Sequence, residues 1–269
     1  MSIRQSWMGL FRLMLVLGAG AIVPSLYAGT LVSVDFNAPN PYGFASPTFS
    51  GVEPAAAALD PLFAAANAWN GLNVPFLITG ADVNPSWSGL VDSTGAATAI
   101  GFAVQGNVLG WSFYGSNPSY SDALRNDYFG FNSDDGTGRG ISTTISWALT
   151  GLVPNAKYDM CFYGARADYQ RGFNMTIGTS TEYIPTLLAT DPQPSGCLAF
   201  RGVYANASGT ISGTGTGIGS NVGVANEGDL AGFQIAEVSS SATPEPSSLV
   251  LVGSGILGLA GVIRRKLSL

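Results

Sequence analysis

Between residues 30 and 238 the chain almost never sustains a helical repeat. Short β-prone runs follow one another instead, each ended by Gly, Asn, Asp or Pro. This punctuation constrains the fold more than any other feature. The runs fall at 30–36, 97–105, 127–131, 142–149, 172–177, 197–204, 209–214 and 230–238, with a further run ending at Tyr163. Ile100, Phe102 and Val104 share one face of their run, and Ile141, Thr143, Ile145 and Trp147 share one face of theirs. In the first run alternation leaves open whether Leu31 or Val32 points inward. The last run, from Gly232 to Val238, alternates cleanly and reads as the closing strand. Only the stretch 54–69, rich in alanine, suggests a helical turn or two, interrupted at Pro61.

About ten strands with regular turns predict an all-β chain of two packed antiparallel sheets, a β-sandwich. The string from Leu149 to Tyr163 is a strand, a Gly/Pro/Asn turn and a second strand, with Leu152 and Tyr158 placed to cover the turn. Similar strings occur in fibronectin-type-III and galactose-binding-like sandwiches. A jelly roll resembling galactose-binding-like domains is the first expectation and an immunoglobulin-like sandwich the second.

Both ends differ from this body. Arg4 and Arg12, an apolar stretch from Leu13 to Val23, Pro24 and the small residue Ala28 read as a secretory signal peptide over 1–28. At the other end Pro244-Glu245-Pro246 precedes an apolar run over 249–263 and the basic triplet Arg264, Arg265 and Lys266. Fifteen apolar residues are short for a membrane span, which needs roughly 17–25. Ser247, Ser248 and snorkelling basic side chains bring the run close to that limit. The basic triplet is expected to stay cytoplasmic. The predicted organisation is therefore a signal helix over 1–28, a sandwich over 29–241, and a tail over 242–269 with a transmembrane helix at 249–263.

The order of the three tail parts over 243–269 resembles the PEP-CTERM sorting signal of Gram-negative bacteria. The resemblance implies processing by exosortase, a membrane-embedded transpeptidase-like enzyme. The inner membrane would be a transient anchor with the body in the periplasm, and the cell surface or extracellular matrix the destination. It also implies an association with exopolysaccharide. Pro244, Glu245 and Pro246 would then be residues that a processing enzyme recognises.

Charge and cysteine usage agree with export. Six of the 11 basic and 16 of the 17 acidic residues lie in 29–241, leaving that segment at −10. Such a body repels nucleic acid and anionic lipid. Cys161 and Cys197 are the only cysteines. An exported compartment permits a disulfide between them, the alternative being two buried reduced thiols. No Cys-x-x-Cys motif occurs, so neither a redox centre nor a structural zinc site is indicated.

The chain contains no histidine. That removes Ser-His-Asp and Cys-His catalysis and His-ligated zinc. Carboxylates remain: Asp35, Glu53, Asp60, Asp82, Asp127, Asp159, Asp168, Glu182, Glu227 and Asp229. No recognised signature surrounds them, and the expectation is that they are solvated at the surface. A polar loop with Asn132, Asp134 and Asp135 among glycines has the flexible oxygen donors that calcium favours, without the spacing of an EF-hand. No other cofactor is indicated. Exposed aromatic faces flanked by hydrogen-bonding groups suit sugars. Trp69, Trp87, Trp111, Tyr114 and Tyr120 are candidates, and the loop with Arg166, Asp168, Tyr169 and Arg171 is the first place to seek a ligand. Trp147 reads as core. The glycine-rich stretch 209–223 lacks the Lys and helix of a phosphate-binding loop and reads as strand and wide turn.

These readings favour a non-enzymatic, exported sandwich with a structural or adhesive role. A carbohydrate-binding module is the alternative, and a carboxylate-only glycosidase the less favoured third.

Overall fold

Strict alternation buries one side of each strand, and two such sides facing each other make a core. The computed structural model is built this way. It describes residues 30–38, 48–52, 63–74, 84–106, 108–112, 124–125, 127–131, 144–167, 172–185, 187–188, 197–221 and 224–238, all within the unit Gly29–Val238. In chain order the strands are β1 (Leu31–Asn37), β2 (Asn70–Asn73), β3 (Ser86–Trp87), β4 (Gly101–Gln105), β5 (Val108–Ser112), β6 (Asp127–Phe131), β7 (Thr144–Thr150) and β8 (Lys157–Gly164). They continue with β9 (Arg166–Ala167), β10 (Phe173–Ile177), β11 (Ser180–Ile184), β12 (Leu187–Leu188), β13 (Leu198–Tyr204), β14 (Ile211–Gly217), β15 (Gly219–Asn221) and β16 (Val224–Glu237).

Among the described residues one sheet runs β13-β8-β16-β1-β2, with β15 and β6 also pairing β16 and β5 pairing β6. The second runs β11-β10-β14-β7-β4-β3. The expected all-β sandwich is therefore present, and the closing strand lies between β1 and β8. Two pairs depart from the antiparallel expectation: β1 with β2, and β9 with β12, are parallel. Thirty-two residues separate the first pair and 19 the second, enough for the crossover that parallel pairing requires. Of the predicted helical stretch, residues 63–69 are described, and they hold one 3-10 turn, Phe63–Ala65.

The inter-sheet core holds Val32, Val34 and Phe36 from β1, Phe102 and Val104 from β4, and Ile145, Trp147 and Leu149 from β7. Met160 and Phe162 from β8, Met175 from β10, and Phe233 and Ile235 from β16 pack with them. Phe36 sits at its centre, edge-on to Phe129 at 4.5 Å and within 6.0 Å of Phe102 and Phe233. Trp147 lies where β14 offers Gly213. A Cβ there would come within 2.6 Å of the indole and 2.4 Å of the Thr176 carbonyl. The indole N–H points at Met175 Sδ, 2.8 Å away.

The question left open at Leu31 and Val32 has a double answer: both are buried. The outer face of the larger sheet is covered by a second layer, so β1, β8 and β16 are enclosed on both sides. Leu31, Cys161, Tyr163, Ala231 and Ala236 pack there with Phe63, Ala66, Leu124 and Tyr128. Phe49 and Trp69 border this layer, edge to face at 4.8 Å. A polar chain crosses it: the Tyr163 hydroxyl donates to Gln234 Oε1 at 2.5 Å, and Gln234 Nε2 donates to Ser33 Oγ at 2.9 Å.

This second layer also corrects the expectation for the carboxylates. Asp35, Asp127 and Asp229 are fully buried and Asp159 nearly so, with Arg125 buried and its guanidinium 5.3 Å over the Tyr163 ring. Asp35 Oδ2 accepts from the Phe49 N–H at 2.6 Å. Turned so that its nitrogen faces them, the Asn37 amide donates to Asp35 Oδ2 and Asp127 Oδ2, each at 3.2 Å.

At the β7–β8 corner Leu152 and Tyr158 are buried as expected. The Tyr158 hydroxyl accepts from the Val153 N–H at 2.9 Å. This is a tyrosine corner, the lock by which sandwich strands change sheets.

Candidate functional site

The smaller sheet ends at β11 and the larger at β13, and these edges flank a groove of about 530 Å³. That volume lies within the range of ligand sites. Ile177, Phe200 and Ile211 floor it and belong to the core. The β10–β11 hairpin supplies Thr179, Ser180 and Glu182 on one side.

The opposite wall is an edge strand with a β-bulge. Pairing of β13 with β8 runs from Leu198 to Phe200, slips, and resumes at Val203 opposite Tyr158. Arg201 and Gly202 fall in the slip. Gly202 has φ 69°, a left-handed conformation that glycine adopts without strain. The bulge takes the Gly202 N–H out of the ladder, and Asp159 Oδ1 accepts it at 2.7 Å. Asp159 Oδ2 lies 3.6 Å from Arg201 Nη1. One nearly buried carboxylate thus holds the bulge and orients the cation that lines the groove. The Arg201 side chain is 53% exposed and Tyr204 is 65% exposed.

A short loop closes one end. Asn206 Oδ1 accepts from Ser208 N at 2.9 Å, Ser208 Oγ at 2.7 Å and Thr210 N at 2.9 Å. Gly209 O accepts from Leu152 N at 3.0 Å, tying the loop to the tyrosine corner. The groove is therefore built on fixed backbone. It offers hydroxyls, one cation, one carboxylate and one exposed aromatic residue, Tyr204.

Glu182 is among the candidate carboxylates of the sequence, whereas Arg201 and Tyr204 are not among its ligand candidates. The available signal was Arg201-Gly202 inside a strand-like run, because an isolated Gly there points to a bulge. Of the loop that was marked, Arg166 has its backbone in β9, opposite Leu187. Asp168, Tyr169 and Arg171 lie outside the described residues. So do Asn132, Asp134 and Asp135, as well as Pro244, Glu245, Pro246, Arg264, Arg265 and Lys266. Among the described residues no three His, Cys, Asp or Glu are grouped to hold a metal ion. No described helix is long and apolar enough to cross a membrane.

The aromatic candidates separate. Trp69 is engaged, donating to the Gly51 carbonyl at 2.9 Å and packing on Phe49. Trp87 stacks on Phe102 with ring centres 6.1 Å apart. Trp147 is core as expected, and Tyr114 and Tyr120 lie outside the described residues. Cys161 and Cys197 form a disulfide with Cα atoms 5.4 Å apart.

Comparison with known proteins identifies the tail. Residues 242–266 match the family described as the PEP-CTERM protein-sorting motif. The chain thus carries the mark of an exported protein with a C-terminal membrane-anchoring sorting signal, recognised by exosortase. No curated protein matches the chain. Among solved structures, TmCBM61 in complex with β-1,4-galactotriose is similar at 11% identity. That match covers 50% of this chain and 86% of the other, with TM-score 0.29. Exo-β-1,3-galactanase from Phanerochaete chrysosporium with galactose is similar at 13% identity over 57% of this chain and 29% of the other, with TM-score 0.28. Overlaps this low assign neither a ligand nor a site.

Proposed function

We propose that this chain is a non-catalytic, exported sandwich. In this reading it is displayed at the cell surface or in the extracellular matrix, where it has an adhesive or structural role with exopolysaccharide. The carrying observation is the sorting motif at 242–266. The histidine-free composition supports a non-catalytic role, because it leaves no general base of ordinary kind near neutral pH.

The test is intact mass and fractionation of the protein from its host, beside a variant carrying Pro244→Ala, Glu245→Ala and Pro246→Ala. The expected outcome is a wild type lacking its tail and found outside the inner membrane, with the variant retained there. A wild type that keeps its tail in the inner membrane would reduce the signal to an anchor and remove the surface role. Turnover of a polysaccharide by the purified protein would overturn the non-catalytic reading.

A further inference from the structure

The geometry points to a ligand for the groove between β11 and β13: a neutral saccharide chain, with Tyr204 as its stacking face and Arg201 as its hydrogen-bonding fork. Charge makes the first selection. Arg201 and Glu182 line the groove with opposite signs, while the segment 29–241 carries −10. A polyanion would meet that net charge, with Arg201 in the lining and Lys157 beside Gly202 as the cations to offset it. An apolar ligand would cover the exposed hydroxyls of Thr179, Ser180 and Ser212 without offering them hydrogen bonds, at a cost.

A peptide adding itself to the β13 edge needs a continuous row of backbone donors and acceptors. The bulge interrupts that row, and the Gly202 N–H is already held by Asp159 at 2.7 Å. Glu182 presents a charge inside the other edge, a device that discourages strand pairing. A chain of hydroxyls with apolar C–H faces meets none of these objections. Its hydroxyls match the lining, and a sugar face can lie on the Tyr204 ring.

Among the described residues Tyr204 is the most exposed large hydrophobic side chain. Trp69, Trp87 and Trp147 are all packed on neighbouring rings or the core. Tyr204 is 65% exposed at a preformed cavity, the disposition that lets an aromatic bury area on binding at little entropic cost. Tyr183, 49% exposed on β11, is not part of the groove lining. It provides the internal control.

The experiment is affinity electrophoresis of the protein as recovered from its host, through gels containing dextran, soluble galactan, the host's neutral exopolysaccharide or polygalacturonate. Wild type and Tyr183→Ala are expected to be retarded alike by at least one neutral polymer. Tyr204→Ala and Arg201→Ala are each expected to weaken that binding about tenfold, with unchanged circular dichroism. Absence of retardation by every neutral polymer would overturn the proposal, as would equal retardation of all four proteins. Preference for polygalacturonate would overturn the neutral assignment.

The inference rests on the proposed function only for access to external polysaccharide, and the two fail separately. A protein that binds but keeps its tail contradicts the location. One that loses its tail but binds nothing contradicts the groove.

Discussion

Tyr158 closes the corner by accepting one hydrogen bond, and the burial of its phenol makes the corner sensitive to alkali. Burial raises the phenol above its ordinary value of 10.0; the Val153 N–H opposes that rise and Glu237 adds to it. A raised value means the stabilisation is complete below pH 10 and is lost as pH rises through the shifted value. Tyr158→Phe leaves the Val153 N–H without this acceptor and is expected to cost about 1–3 kcal/mol near neutrality. In urea unfolding at several pH values, the gap between wild type and variant should narrow above pH 10. A gap that stays constant there would detach the corner from the phenol's titration. Asp92 works in the other direction. The Thr94 hydroxyl, the Thr94 N–H and the Ala96 N–H donate to its Oδ1 at 2.6, 2.8 and 3.0 Å. The Thr94 hydroxyl leads in holding the carboxyl below its ordinary 3.8. The loop's contribution is thus present above that value and lost as pH falls through the depressed one. Amide shifts of Thr94 and Ala96 in a pH titration should move together with a midpoint below 3.8, and a midpoint at or above it would contradict the cap.

Strands explain both what was legible in the sequence and what was not. Runs with clean alternation, such as β4 and β7, were readable because one side faces the core and the other faces water: Phe102 and Val104 are buried while Gln105 is exposed. β1 was not orientable because a strand enclosed on both sides carries no alternation to read. β2, β3 and β5 were passed over because Asn, Gly and Ser within them read as turn. Asn70 is in fact a strand residue whose amide bonds the Ser33 and Val91 carbonyls at 2.9 Å. The buried carboxylates were missed because nothing local to Asp35 or Asp229 announces a covering layer from distant sequence. The groove was missed for a related reason: it exists only where two edges meet, and its lining comes from separate runs. The bulge in β13 is the element most exposed to test. Asp159→Ala removes the acceptor of the Gly202 N–H and is expected to cost about 1–3 kcal/mol, whereas Asp159→Asn keeps an oxygen acceptor and should cost less. Denaturant unfolding of both variants checks this. Equal costs would mean that the carboxylate's charge, rather than its acceptor oxygen, holds the bulge.

At the scale of the molecule, the disulfide and the second layer act on the same strand. Cys161 sits fully buried in β8, which both layers enclose. Its partner Cys197 immediately precedes β13, the strand that carries the groove wall. The bond spans 36 residues of sequence, including the whole β10–β11 hairpin. It therefore ties the β13 edge to its neighbour β8 and closes a loop that carries the other groove edge, β11. Closing a loop of that length is worth about 4 kcal/mol in the chain-entropy model. An exported protein gains this only after reaching an oxidising compartment, so the same chain is less stable before export than after it. The prediction has two parts. Replacing both residues, Cys161→Ala with Cys197→Ala, should lower unfolding stability by about 4 kcal/mol. In the native protein the buried sulfur should also resist reduction until denaturant opens the sandwich. Thiol labelling after reductant, with and without urea, separates the cases. Rapid labelling in the folded protein would show that the β8–β13 flank opens on its own, and the groove would then not be preformed.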